Sequence, residues 1–240
     1  MGIITNEEYL IKRNITKLPN LNNFIEIELP KYIKNEEYGG KEYHSFYDYK
    51  EDYYIDENGF VNIYSTIKNT VLSTLVIEDS IFIGTDHGEW SGELIFKDYS
   101  GMYPFEYRII DDNIHDIFKF HNEIFVLTGL AHLGSDEGKL HKLGYINDKW
   151  NIAETFNLES EPNVYKIIND DKLLIVTNKG IVIFDGNNIL KIIKNGKWNY
   201  LYANSVYLNN GYIFIGARGY IFSINIEKNF TSRIYKYNDI

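Results

Sequence analysis

The sequence predicts an all-β fold built from one repeated unit, a small sheet of four antiparallel strands. Three observations carry this. Strand formers dominate a chain that is 44% hydrophobic and 16% aromatic, with Ile, Tyr, Phe and Val recurring. Short apolar runs are separated by tight polar turns. The whole pattern then recurs at roughly forty to fifty residues, a period typical of repeat architectures.

Four segments share the order of apolar strand, polar turn, apolar strand, Gly-bearing turn and third strand. The first runs from Leu72 to Ile77, turns at Glu78-Asp79, continues as Ile81-Phe82-Ile83-Gly84 and resumes as Glu93-Leu94-Ile95-Phe96. The second has Ile117 to Phe120, a turn at His121-Asn122, Ile124 to Leu127, then Lys139 to Ile146. The third has Val164 to Ile168, a turn at Asp170-Asp171, Leu173 to Val176, then Ile181 to Phe184. The fourth has Ser205 to Leu208, a turn at Asn209-Asn210, Tyr212 to Ile215, then Tyr220 to Ser223. Aligning the second strands on Ile81, Ile124, Leu173 and Ile213 gives steps of 43, 49 and 40 residues. Fourth strands are expected at Phe105 to Ile110, Asn151 to Phe156, Ile189 to Ile193 and Ser232 to Tyr237. Asp185-Gly186-Asn187-Asn188 supplies a hairpin turn before the third of these.

Four strands per period is the signature of propeller blades, and second strands apolar on both faces suit stacked sheets. The sequence therefore predicts a single β-propeller domain over residues 1–240, with regular blades over 71–111, 112–160, 161–198 and 199–240. Residues 1–70 are expected to form an irregular N-terminal blade, the fifth. Within it Phe24 to Leu29 alternates apolar and polar, Asn58-Gly59 reads as a hairpin turn, and Tyr43 to Tyr49 supplies a further strand. Asn6 to Arg13 reads as a short helix or an arm. The marks of WD and kelch repeats are missing, and the rival architecture is an irregular β-sandwich with a tail.

Lys plus Arg number 24 against 34 for Asp plus Glu, a net charge of −10. That argues against nucleic acid, which needs a basic stripe, and against anionic membranes. It favours another protein, a basic one, as partner. Cysteine is absent, which removes disulfides, iron–sulfur clusters and thiolate zinc sites. No cofactor is expected. The N-terminal residues are acidic, without an apolar leader, and no apolar run reaches the length of a membrane helix, so a cytoplasmic address is expected.

Loops joining second to third strands differ in length around the repeats. Asn178-Lys179-Gly180 and Ala217-Arg218-Gly219 are minimal, whereas Thr85–Gly92 and Thr128–Gly138 are long, Gly-rich and full of ionisable groups. Function concentrates on such loops. The expected binding residues are Asp86, His87, Glu89, Trp90, His132, Asp136 and Glu137. Trp90 beside carboxylates suits an interface anchor. A His base fixed by Asp is a second reading of Asp86-His87, but no nucleophile elbow accompanies it. His87-Gly88-Glu89 has the His-x-Glu form of zinc deaminases without their Cys pair. A metal shared by His87, His132 and a carboxylate is geometrically conceivable. No residue is assigned as catalytic or as a metal ligand. The segment Gly134–Lys139 is too short and too acidic for a phosphate loop, and Asp56–Gly59 lacks the acids of a calcium loop. A second candidate surface is the stretch from Tyr32 to Tyr64, where tyrosines alternate with acids.

The segment Gly84-Thr85-Asp86-His87-Gly88-Glu89-Trp90, followed by Gly92, resembles a stretch in small uncharacterised bacterial propeller-like proteins, some of whose families sit beside toxin genes. That resemblance implies a bacterial, non-catalytic binding module, concretely an immunity protein neutralising a basic toxin. Two alternatives stand beside it. One is a sugar-active or glycan-binding propeller using Asp86, His87, Glu89 and His132. The other is a propeller subunit of a larger assembly.

Overall fold

The computed structural model describes residues 11–22, 24–27, 51–65, 71–199 and 201–237. Every strand pairing in them is antiparallel, and one 3-10 turn is the only helical element among the described residues. The described residues fall into two compact units, one holding those between 11 and 65 together with those between 195 and 237, the other holding 71–194.

The first unit begins with β1 (Ile11–Lys17), β2 (Phe24–Ile27), β3 (Glu51–Ile55) and β4 (Phe60–Ser65). The order β1-β4-β3 makes a three-stranded sheet, so residues 11–13 are strand and not the expected helix or arm. The β3–β4 hairpin turns at the expected Asn58-Gly59. The amide of Gly59 donates to the Asp56 carbonyl (3.0 Å), and the Asp56 carboxylate accepts from the amides of Asn58 and Phe60 (both 2.9 Å). Only Gly59 takes a positive φ, at 82°, so this is a type I turn closed by a left-handed Gly rather than a two-residue Asn-Gly turn. The expected strand Tyr43 to Tyr49 lies outside the described residues.

The second unit holds three four-stranded meanders in chain order. These are β5 (Val71–Ile77), β6 (Ser80–Asp86), β7 (Leu94–Asp98) and β8 (Phe105–Ile110), then β9 (Ile114–Phe120), β10 (Glu123–His132), β11 (Ser135–Ile146) and β12 (Lys149–Asn157), and finally β13 (Pro162–Asn169), β14 (Lys172–Thr177), β15 (Ile181–Phe184) and β16 (Ile189–Ile193). A fourth meander, β17 (Ser205–Asn209), β18 (Tyr212–Ala217), β19 (Tyr220–Asn225) and β20 (Thr231–Tyr237), completes the first unit.

Ile81, Ile124, Leu173 and Ile213 are each the second residue of their strand, and all four are buried. The turn ahead of each strand follows local chemistry. His121-Asn122 (φ 53° and 59°) and Asn210-Gly211 (φ 45° and 78°) are both left-handed pairs, as type I′ turns require. The last turn therefore sits one residue beyond the expected Asn209-Asn210, because Asn209 pairs with Tyr212 and Gly211 tolerates positive φ better than Asn209 would.

Two apolar layers fill the three-sheet unit. Phe82, Leu94, Phe96, Ile114, Ile124 and Leu143 lie between the first and second meanders. Phe118, Phe125, Leu140, Leu173, Val182 and Phe184 lie between the second and third. The middle sheet is thus apolar on both faces, which explains the unbroken run Ile-Phe-Val-Leu in β10. In the other unit Val61, Ile63, Tyr53 and Ile55 pack with Phe24, Phe214 and Ile221.

Two expectations fail in this architecture. Residues 128–138 are not a long loop: β10 and β11 run on in unbroken register to the pair His132↔Ser135, closing over Leu133-Gly134 with φ of 47° and 88°. The alternation that marks a strand is masked there by Gly129 and Gly138, which face each other across the hairpin. The second failure concerns β2, which does not stay with the N-terminal sheet. It joins β20 as a fifth strand, with Phe24 opposite Tyr237 and Ile27 opposite Ile234.

Candidate functional site

The seven residues singled out by sequence lie at the end of the three-sheet unit where β6, β10 and β14 finish. The structure divides them into an outward and an inward set.

The outward set sits on two neighbouring projections. After β6 the chain forms the 3-10 turn Gly88–Trp90. Three hydrogen bonds fix this turn. The Asp86 carboxylate accepts from the Gly88 amide (2.8 Å), the Asn113 amide group donates to the Gly88 carbonyl (2.7 Å), and the Asn113 side-chain oxygen accepts from the His87 amide (3.1 Å). Asn113 comes from the connection between β8 and β9, so the next sheet holds the turn. The result presents Trp90 at 82% exposure. Beside it the β10–β11 tip presents Leu133 at 76% exposure. Nε2 of His132 lies 3.0 Å from Oε2 of Glu89 and ties the projections together. Glu137 is exposed, while the His87 ring turns back so that Nδ1 lies 3.1 Å from the Ser91 carbonyl. His87 and His132 therefore each have a different partner. Among the described residues no group of three or more His, Asp or Glu is arranged to hold a metal ion.

The inward set is Asp86 and Asp136, and sequence reasoning missed the residues that meet them. His115 on β9 stands between two carboxylates, with Nδ1 3.7 Å from Asp86 and Nε2 3.5 Å from Glu161. Nε2 also lies 3.1 Å from the Gly129 carbonyl, which only accepts, so Nε2 carries the proton. Asp136 is nearly sealed, its side chain 4% exposed. It accepts from the Ser160 hydroxyl (3.0 Å), the Glu161 amide (2.8 Å) and the Asn178 amide group (3.4 Å), and pairs with Lys179 (3.0 Å). Burial, with the Asp86 and Asp136 charges adding, raises the Glu161 carboxyl to about 7, against the opposing hydrogen bond from the Ala131 amide.

A polar network thus runs from Asp86 through His115 and Glu161 to Asp136 and Lys179, crossing all three sheets. Nearby, Thr128 joins Asp112 (3.1 Å) to the buried His141 (3.2 Å). Desolvation, helped by the Lys139 charge, lowers the His141 imidazole to about 4. The one legible signal for these residues was positional: Asp112-Asn113 and Ser160-Glu161 stand in the connections between repeats.

The second candidate surface contributes little in the described residues. Tyr53 is buried in the core and Tyr54 is partly exposed, while Tyr32, Tyr38, Tyr43, Tyr47 and Tyr49 lie outside the described residues. No helix among the described residues is long and apolar enough to cross a membrane.

No family model matches the chain, and no curated protein sequence does. Among solved structures it is similar to a luciferin-regenerating enzyme, at 14% identity and a TM-score of 0.42, over 67% of this chain and 60% of that one. It is also similar to the computationally designed Ika8 protein, at 7% identity and a TM-score of 0.42, over 72% of this chain and 47% of that one. The chain spans less than two thirds of either structure.

Proposed function

We propose that this chain is a non-catalytic protein-binding module that docks a basic partner on the projections carrying Glu89, Trp90, His132, Leu133 and Glu137. The observation that carries the reading is the 82% exposure of Trp90 on a turn fixed by Asn113 and Asp86. A turn fixed in advance loses little backbone entropy on binding, and an exposed indole on it supplies the apolar area of an interface anchor. Leu133 extends the apolar centre, and Glu89 and Glu137 supply the acidic rim. Of the two carboxylates named for a sugar-active site, Asp86 is engaged with the Gly88 amide and His115, and Glu89 is paired with His132 on the outward projections.

The architecture that fits this module best is a five-bladed propeller forming a single domain, with the four meanders and the β1-β4-β3 sheet as blades. Two features favour it: the repeated meander with matched buried positions, and the pairing of β2 with β20, which returns the N-terminal region to the last sheet. An immunity protein masking a basic toxin in a bacterial cytoplasm is the concrete form of this reading. Its support is the net charge of −10 and the resemblance of the Gly84–Gly92 segment.

The test is affinity capture of the cognate partner, followed by binding kinetics with Trp90→Ala and with the pair Glu89→Lys/Glu137→Lys. Trp90→Ala should weaken binding by about thirtyfold, the equivalent of roughly 2 kcal/mol at an interface centre. The charge reversal should slow association and reduce its salt dependence. Unchanged affinity and salt dependence in both variants would place the partner elsewhere.

A further inference from the structure

At the other end of β6 from Trp90, about 20 Å away along the strand, the first and second meanders leave a cleft of about 410 Å³. Its walls are two rows of rings. Phe96, Tyr107 and Phe105 follow one another along β7 and β8, with centroids 5.5 Å apart at each step. Facing them, Tyr145 and Trp150 meet edge to face at 5.4 Å across the β11–β12 hairpin. The Tyr107 hydroxyl fixes the two rows to each other by accepting from the Trp150 amide at 2.6 Å. Three carboxylates, Glu78, Asp98 and Asp148, stand in the lining, and no Lys or Arg does. Hydrogen bonding from the Ser100 amide lowers the Asp98 carboxyl, so it is ionised at neutral pH.

We propose that this cleft binds an alkylammonium group. The faces of aromatic rings attract cations through their quadrupoles, and the combination of several rings with carboxylates is how proteins hold quaternary ammonium ions. The structure already contains one such contact: the Lys149 ammonium, next in sequence to Asp148, lies 5.6 Å from the centroid of the Tyr107 ring. The volume is within the range of small-ligand sites. A neutral apolar ligand would gain from the rings but would desolvate the carboxylates without compensation. This site is separate from the Trp90 surface and does not depend on its role.

The experiment is an amide and indole NMR titration of the full chain with choline, and in parallel with its neutral isostere 3,3-dimethylbutan-1-ol. A short peptide carrying trimethyllysine distinguishes a side-chain source from a free small molecule. Saturable shifts at Tyr107, Tyr145, Asp148 and Trp150 are expected with choline or with the peptide, at least tenfold tighter than with the isostere. Phe105→Ala and Asp148→Asn, both at exposed positions that leave the core intact, should each weaken choline binding several-fold. Lys149→Met should strengthen it by freeing the Tyr107 face. Equal binding of the neutral isostere, binding of neutral sugars in place of choline, or shifts that do not saturate would overturn the proposal. Loss of Trp90 should leave these titrations unchanged.

Discussion

His115 and Glu161 face each other across two sheets, with the imidazole Nε2 3.5 Å from the carboxylate Oε1. Burial is the main cause that sets how Glu161 titrates, with the charges of Asp86 and Asp136 adding to it.

Glu161 makes the fold more stable in acid. Its folded value of about 7 lies above the ordinary 4.5, so the native state binds the proton more tightly than the unfolded chain. The contribution is complete below pH 4.5 and is lost as the pH rises through 7. A shift of this size corresponds to roughly 3 kcal/mol. Glu161→Gln should therefore raise stability at pH 8 relative to the parent and flatten denaturant midpoints between pH 6.5 and 8. A midpoint that keeps its full decline in the variant would assign the effect to another group.

His141 acts in the opposite sense. Its folded value of about 4 lies below the ordinary 6.5, so the unfolded chain binds the proton more tightly. Its contribution is complete above pH 6.5 and is lost as the pH falls through 4, again by roughly 3 kcal/mol. His141→Gln, which can keep a hydrogen bond to Thr128, should be less sensitive to acid than the parent. Between pH 4.5 and 6.5 the two groups oppose each other, so the parent should show a shallow profile there and each single variant a steeper one of opposite sign.

Asp136 and Glu137 are sequence neighbours with opposite fates. Asp136→Ala strips partners from Ser160, the Glu161 amide and Lys179, and should cost about 2–3 kcal/mol in chemical unfolding. Glu137→Ala at the exposed neighbouring position should change stability by less than about 0.5 kcal/mol. Equal effects from the two would contradict the inward orientation of Asp136.

Gly84 marks a close approach between sheets. A Cβ there would stand 2.3 Å from Cγ2 of the fully buried Ile114 on β9. Gly84→Ala should destabilise by about 1–3 kcal/mol through overpacking. The double variant with Ile114→Ala, which removes the contacting Cγ2, should be less destabilised in thermal unfolding than the two single variants added together.

Trp90→Ala should leave the melting temperature unchanged, because an exposed ring contributes little to the fold. A large drop would mean that Trp90 packs in solution and is not held out as an anchor.

The sequence by itself determined the strands, their antiparallel order within each meander and the buried second residue of each repeat. These follow from period-two and apolar-run patterns together with two-residue turns, all encoded within about a dozen residues. It also placed Glu89, Trp90 and His132 in one neighbourhood. Only the tertiary structure decided that Asp86 and Asp136 point inward, since a carboxylate's direction depends on His115, Ser160 and Lys179, which lie 24 to 43 residues away or in another sheet. It likewise decided that residues 128–138 are strand, where two glycines hide the alternation, and that β2 belongs with β20, more than two hundred residues along the chain. Pairings across such distances are set by which edge and which apolar face remain uncovered once the local sheets have formed. No local pattern records that choice.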